Sequence, residues 1–240
     1  DWRYQILLIV GTGEGYYSGY LVEFFKPKTV NLRIQAINKY LDFIGSSTLR
    51  LKAVRIQQKP FLENVISISD YRFLKTRLKK DGNDMWYFIV WYLGATGARV
   101  SELIKIKVEH VEDGFIDMYS KGGKLRRLYI PKRLQRETLK WLDSQNRKNG
   151  YLFINRYDEQ ITTRGISQQL KNYAIKYGLN EKVVYPHSFR HMFAKSFLAK
   201  CNDIALLADL MGHESIETTR IYLRRTASEQ RAVVDQVVTW

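Results

Sequence analysis

Between residues 28 and 43 the apolar side chains recur at three- and four-residue steps: Val30, Ile34, Ile37, Tyr40 and Leu41, with Ile44 just beyond. That is the period of a helix with one buried face. Gly45-Ser46-Ser47 ends it. Segments 68–80 and 84–93 carry the same helical period. Gly94-Ala95-Thr96-Gly97 is expected to break the second of these helices, and 98–105 to resume it. The period then changes. Residues 115–119 and 125–130 alternate or are rich in β-formers, and Gly122-Gly123 between them has the chemistry of a tight hairpin turn. Pro131 ends the second strand. Further helices are expected at about 133–145, 162–177, 187–200, 202–211, 216–225 and 227–238, with a short strand at 151–154 among them. The pattern predicts a mainly α fold with a small antiparallel β-sheet, in the α+β class.

The first 25 residues read differently. Ile6-Leu7-Leu8-Ile9-Val10 resembles a buried strand, and Gly11-Thr12-Gly13-Glu14-Gly15 follows it. The spacing is GxGxG rather than GxGxxG, no ribose-binding acid follows at the needed distance, and no GK[ST] is present. A loop is expected here, not a cofactor site. Gln57-Gln58-Lys59-Pro60 reads as a linker, because Pro60 disfavours helix at the residue before it. A domain boundary is expected there. The chain opens on Asp1 rather than methionine, which reads as a fragment or a lost N-terminal region.

Charge changes the picture more than composition does. The 240 residues, 45% hydrophobic, allow one large domain or two small ones with a packed core. Lys plus Arg number 39 against 24 acids, a net charge of +15. That excess implies a polyanionic partner, nucleic acid or an anionic membrane surface. No apolar run approaches a transmembrane length and no basic amphipathic stretch stands out, so nucleic acid is favoured. Basic residues crowd the first domain, Lys28, Arg33 and Lys39 among them, and with so few acids interspersed they read as a DNA-facing surface at least as well as a solvated helix face. The one cysteine, Cys201, excludes an internal disulfide framework and fits a reducing cytosol. The 5–10 run is too short for a signal peptide and lacks a basic flank.

Six residues in the second half carry the candidate chemistry: Arg99, Lys121, His187, Arg190, His213 and Tyr222. Five are cationic or can become so, and the sixth is a phenol placed after them. Cations that hold a phosphate and one phenol that displaces an oxygen suit attack on a phosphodiester. Arg99 follows a Thr-Gly-Ala turn at a helix start, where a guanidinium can fork onto two phosphate oxygens; taken alone it reads better as an ordinary surface ion pair with Glu102. Lys121 sits before the hairpin turn, a candidate general acid for a departing sugar oxygen, though hairpins also carry lysine for solubility. Lys124, Arg126 and Arg127 on the returning strand are expected to grip a DNA backbone. Pro186 starts a helix on which His187 and Arg190, three apart, share a face. His191 and His187 have metal-ligand spacing, but no acidic base lies between them, so zinc is not expected and His191 is read as structural. Glu102, Glu109, Glu112 and Asp113 lack the paired spacing of a two-metal nuclease, and Glu102 is read as orienting a basic residue. Gly212 ends an apolar helix, and His213 begins the turn towards Tyr222.

These residues also carry a resemblance. Thr96-Gly97-Ala98-Arg99-Val100-Ser101-Glu102-Leu103, Ser120-Lys121-Gly122, His187-Ser188-Phe189-Arg190-His191 and the run from Leu210-Met211-Gly212-His213 to Thr218-Thr219-Arg220-Ile221-Tyr222 resemble the tyrosine recombinases. The likeness spans about residues 28–240, with Met211 standing where leucine is common. The 28–44 helix and the Gln57-Gln58-Lys59 linker look most like integrases of bacterial conjugative elements. The resemblance implies a two-domain DNA clamp: a core-binding domain at 1–58, a linker at 59–66, and a catalytic domain at 67–240 that ends in a helix at 227–238. It implies a site-specific recombinase that cuts and rejoins double-stranded DNA through a 3′-phosphotyrosine intermediate and integrates or excises a mobile element. Arg99 and Arg190 would hold the non-bridging oxygens with His213 beside them, Lys121 would protonate the leaving oxygen, and His187 would assist proton transfer. No cofactor, metal or ATP is implied. Partners would be paired recombination sites and a homo-tetramer whose C-terminal helix docks on a neighbouring subunit, in a bacterial cytoplasm. Two other readings remain at this point: a type IB topoisomerase-like enzyme, and a non-catalytic DNA-binding accessory protein.

Overall fold

The computed structural model of the chain describes residues 20–55, 64–119, 125–213, 215–223 and 227–238. It divides into two compact units, Asp1–Lys59 and Pro60–Trp240.

In the first unit, helix α1 (Pro27–Phe43) starts on its proline, whose missing N–H has no use at that position. Val30, Ile34, Ile37 and Leu41 bury one stripe of α1 against Leu21 and Leu51. Asn31 and Asn38, on a neighbouring stripe, each donate to and accept from the backbone of one residue, Val54 and Leu51 respectively. These two amides hold the extended segment after the helix onto α1. Lys28, Arg33 and Lys39 are exposed, and the Arg33 guanidinium lies 3.7 Å from the centre of the Phe25 ring.

The second unit begins with α2 (Ile68–Lys80), capped by Ser67, whose side chain accepts from the Asp70 N–H. Helix α3 (Asp84–Thr96) is apolar on nearly every side, and Tyr87 to Leu93 are all buried. It packs between α2 and α8 (Pro186–Lys200). The expected break at 94–97 is confined to Gly97. Gly94 stays helical, and the Tyr71 ring occupies the place a Cβ would take, so this glycine serves packing rather than termination. Gly97, at φ 63°, ends the helix, and the Phe193 ring fills the space that a side chain there would need. The expected 98–105 helix is only one turn, α4 (Val100–Leu103), because Arg99 before it is extended and the Glu102 carboxylate caps it by accepting the Arg99 N–H at 2.7 Å.

Helix α5 (Val108–Asp113) was not legible in the sequence; the His110 ring accepts the Lys107 N–H at 3.0 Å and caps it. Strands β1 (Phe115–Tyr119) and β2 (Leu125–Tyr129) pair antiparallel, with Phe115 opposite Tyr129 and Tyr119 opposite Leu125. The expected strand at 151–154 is not one. Leu152 and Phe153 are both fully buried, and the segment makes only isolated bridges, Lys107 with Tyr151 and Ile154 with Gln160. Then follow α6 (Lys132–Ser144), α7 (Thr163–Lys176), α8, α9 (Ile204–Met211) and α10 (Ile216–Arg220). The expected 216–225 helix stops at Arg220 and tightens into a single turn, Ile221–Leu223. Helix α11 (Ala227–Val237) leaves Val234 and Val237 more than half exposed. No described helix is long and apolar enough to cross a membrane.

Candidate active site

Three pieces of chain meet in the second unit: the Gly97 turn after α3, the Gly212 turn after α9, and the start of α8. Arg190, one turn into α8 and 2% exposed, joins all three. Its Nη1 donates to the Gly97 carbonyl at 2.6 Å, and its Nη2 to the Met211 carbonyl at 2.5 Å. The same Nη2 lies 3.2 Å from His213 Nε2. Burial, then Arg99 and Arg126, lower the Arg190 pKa to about 10, so it stays cationic at neutral pH.

Arg99 enters from the start of α4. Its Nη1 pairs with Glu102 Oε1 at 2.8 Å, and its Nη2 donates to the Gly212 carbonyl at 3.3 Å. The expected alternatives for Arg99 are therefore not exclusive: the ion pair with Glu102 holds the guanidinium beside Arg190 and His213. Desolvation raises the Glu102 pKa, but Arg126 and Arg99 outweigh it, and the net position is below the usual carboxylate range.

His213 follows the left-handed Gly212 that closes α9. Its Nδ1 is 2.7 Å from Thr219 Oγ1 on α10. An arginine can only donate, so Nε2 accepts from Arg190, and the ring proton sits on Nδ1 and goes to Thr219. Burial and the neighbouring Arg190, Arg99 and Arg126 lower its pKa to about 4, which keeps it neutral. Thr219 had no assigned role in the sequence; its place six residues after His213 on a one-turn helix is the only signal that could have found it.

Tyr222 is 6% exposed. Its ring lies between His213, at 6.1 Å and nearly parallel, and His191, at 5.3 Å and tilted. Arg190 lies near the phenol. Burial raises the Tyr222 pKa, and Arg190 and Arg99 pull against that rise. His187 is exposed at the start of α8 with its ring 5.8 Å from His191; burial, then Arg190 and Arg99, lower its pKa. His191 is pushed to about 4 by burial, His187 and Arg190, and its buried Nδ1 has no partner.

Arg99, Arg190, His213 and Tyr222 thus come together, with His187 and His191 next to them. Lys121 and Lys124 lie outside the described residues, but β1 ends at Tyr119, which lines one cleft with Arg99, Met118, Arg126 and His213. Arg126 is a correction. Expected on a DNA backbone, its side chain is 2% exposed and held by Glu102 at 2.5 Å. The cause is strand alternation: Arg126 shares the inward face of β2 with Leu128. Arg127 faces outward and forks onto the Asp117 carboxylate across the sheet, at 2.7 and 2.6 Å. Among the described residues no group of three or more His, Cys, Asp or Glu could hold a metal ion.

Residues 70–229 match the phage integrase family. Tyrosine recombinase XerA of Pyrococcus furiosus is 33% identical over 221 residues, 88% of this chain and 75% of that protein. Among solved structures, a XerA recombinase is similar with a TM-score of 0.61 at 24% identity, over 93% of this chain and 82% of that one. The Tn1549 transposon integrase, in complex with transposon right end DNA, is similar with a TM-score of 0.70 at 14% identity, over 99% of this chain and 92% of that one.

Proposed function

This chain belongs to the phage integrase family and is a site-specific tyrosine recombinase, and from that premise we propose that Tyr222 cuts a DNA strand by attacking a phosphodiester held by Arg99 and Arg190. The phenolic oxygen forms a bond to phosphorus and the bond to the 5′ oxygen breaks, leaving a 3′-phosphotyrosine and a free 5′-hydroxyl. The two guanidiniums bind the non-bridging oxygens and stabilise the charge that grows on them in the transition state. Once the phosphate takes over the Arg190 donor that now faces His213, the ring proton moves to Nε2, the Thr219 hydroxyl donates to Nδ1, and His213 donates to a non-bridging oxygen. Lys121 protonates the departing oxygen, and the neutral His187 assists by taking up the proton that the phenol gives up as it attacks. A 5′-hydroxyl from another strand reverses the step. The ester bond energy is retained, so the exchange runs without ATP.

The observation that carries this reading is the burial of Tyr222 against Arg190 of its own chain, between His191 and His213. The substrate is a double-stranded DNA recombination site, with the exposed Lys28, Arg33 and Lys39 of the first unit on its backbone. Four subunits assemble on paired sites and exchange α11, whose uncovered Val234 and Val237 support that docking. The likeness of fold to the Tn1549 transposon integrase supports integration or excision of a mobile element as the biological role. The protein acts in the cytoplasm, where that DNA is.

The test is covalent capture on a nicked duplex carrying the recombination site. The parent protein is expected to form an adduct that survives denaturant, and Tyr222→Phe to form none while still binding DNA. An undiminished adduct from that variant contradicts the assignment. Binding without any adduct from the parent protein turns the reading towards an accessory DNA-binding role.

A further inference from the structure

Arg126 is a buried arginine on the inward face of β2, in a cleft that Arg99 and His213 also line. Its Nη1 contacts Glu102 Oε2 at 2.5 Å, and its Nε donates to the Leu210 carbonyl at 2.9 Å. Glu102, through its other oxygen, holds the Arg99 guanidinium, and through Oε2 also caps the Arg99 backbone. Leu210 stands immediately before the Met211-Gly212-His213 turn, whose carbonyls at 211 and 212 receive Arg190 and Arg99. One side chain therefore ties the strand that leads back from the Lys121 segment to the pieces that carry Arg99 and His213. Gly212 fits this arrangement. A Cβ there would run into the Arg126 side chain, so the arginine can pass under the turn only because residue 212 is glycine.

We propose that Arg126 is a positioning residue for strand cleavage: it fixes Glu102, and so Arg99, together with the His213 turn, and makes no contact with DNA itself. The inference rests on the cluster around Tyr222 being the cleavage site. A buried apolar side chain would fill the same volume more cheaply, since Arg126 Nη2 is buried without a partner. What an apolar residue would not supply is the charge that keeps Glu102 ionised. The groups facing that carboxylate are Arg99 on its own helix, Arg126 from β2 and Arg190 from α8 at 4.0 Å, with Lys105, Asp117 and His213 in the same cleft. Arg126 is the largest of the influences that lower the Glu102 pKa. Without it desolvation remains, the carboxyl takes up a proton at a higher pH, and Arg99 loses its partner.

The experiment compares the full chain with Arg126→Met, Arg126→Lys, Glu102→Gln and the Arg126→Met/Glu102→Gln pair. Each is given nicked random-sequence duplexes enriched for those the parent protein captures. Adduct rate is followed against pH, DNA affinity against salt, and melting temperature alongside. Arg126→Met is expected to keep the DNA affinity and its salt slope, and to lose roughly 10²-fold in rate, the scale of a small misplacement of catalytic groups. Its profile should gain an acidic limb absent from the parent. Glu102→Gln in that background should remove the limb and hold the rate at the level of its acid end, because the amide mimics the protonated carboxyl at every pH. Arg126→Lys, which keeps the charge, should restore the parent profile at an intermediate rate, and it decides the matter if the methionine variant does not fold. A salt slope reduced by about one would mean a direct phosphate contact and overturn the proposal. A slower variant with the parent pH profile would overturn it too, as mere packing. If Tyr222→Phe still forms the adduct, it is the reading of the site that fails, not the role of Arg126 in the fold.

Discussion

Arg190 and His213 settle each other's protonation. The guanidinium offers only donors, so the imidazole accepts at Nε2 and stays neutral, with a pKa of about 4. His191 is held at about 4 as well. Both histidines start from 6.5, the value they regain on unfolding. Between these limits the unfolded chain binds protons that the folded chain refuses, so stability is full above about pH 6.5 and is lost as the pH falls towards 4. Melting temperature measured across that window should drop on acidification, and His191→Phe should flatten the curve. A slope unchanged by that variant would mean that His191 is protonated in the fold. At this scale the order of basic residues ahead of one tyrosine was legible, because their motifs have fixed neighbours. The type of Tyr222 carried nothing among 16 tyrosines. Arg126 was misread because its charge was weighed ahead of its strand register, which places it on the face of Leu128.

Helices were legible as elements wherever one face is buried, since the apolar period then has a physical cause. Helices α1, α2 and α6 lie within a residue or so of the expected bounds. Ends were less legible where another side chain decides them. Gly94 looked like a breaker and is a packing glycine under Tyr71. Helix α5 depends on a histidine cap, and 151–154 buries Leu152 and Phe153 without joining a ladder. Helix α11 had a readable period, but the period does not name what its apolar side meets. Val234 at 55% and Val237 at 59% exposure leave that side uncovered. If a neighbouring subunit covers it, removing residues 227–240 should leave a monomer that binds one site and fails to assemble four subunits on paired sites. Sizing of the DNA complexes by light scattering reads this, and an unchanged tetramer contradicts the exchange.

Over the whole molecule, 39 basic residues against 24 acids make the chain a polyanion binder, and the site concentrates that excess on one buried tyrosine. Net charge announced the partner's sign but not the chemistry. Chemistry came from three pieces of chain, at Gly97, at Gly212 and at the start of α8, that deliver Arg99, His213 and Arg190 to Tyr222 from positions far apart in sequence. A periodicity argument finds the helices but not their meeting point, because that is set by carbonyls such as those of Gly97 and Met211 that no side-chain pattern records. The central claim is that this phenol, and no other, takes the DNA strand. It is tested most directly by digesting the covalent adduct with trypsin and nuclease and sequencing the modified peptide by mass spectrometry. A nucleotide joined through its 3′ phosphate to Tyr222 is expected, in the peptide Ile221-Tyr222-Leu223-Arg224. A nucleotide on any other of the 16 tyrosines, or one joined through a 5′ phosphate, would contradict it.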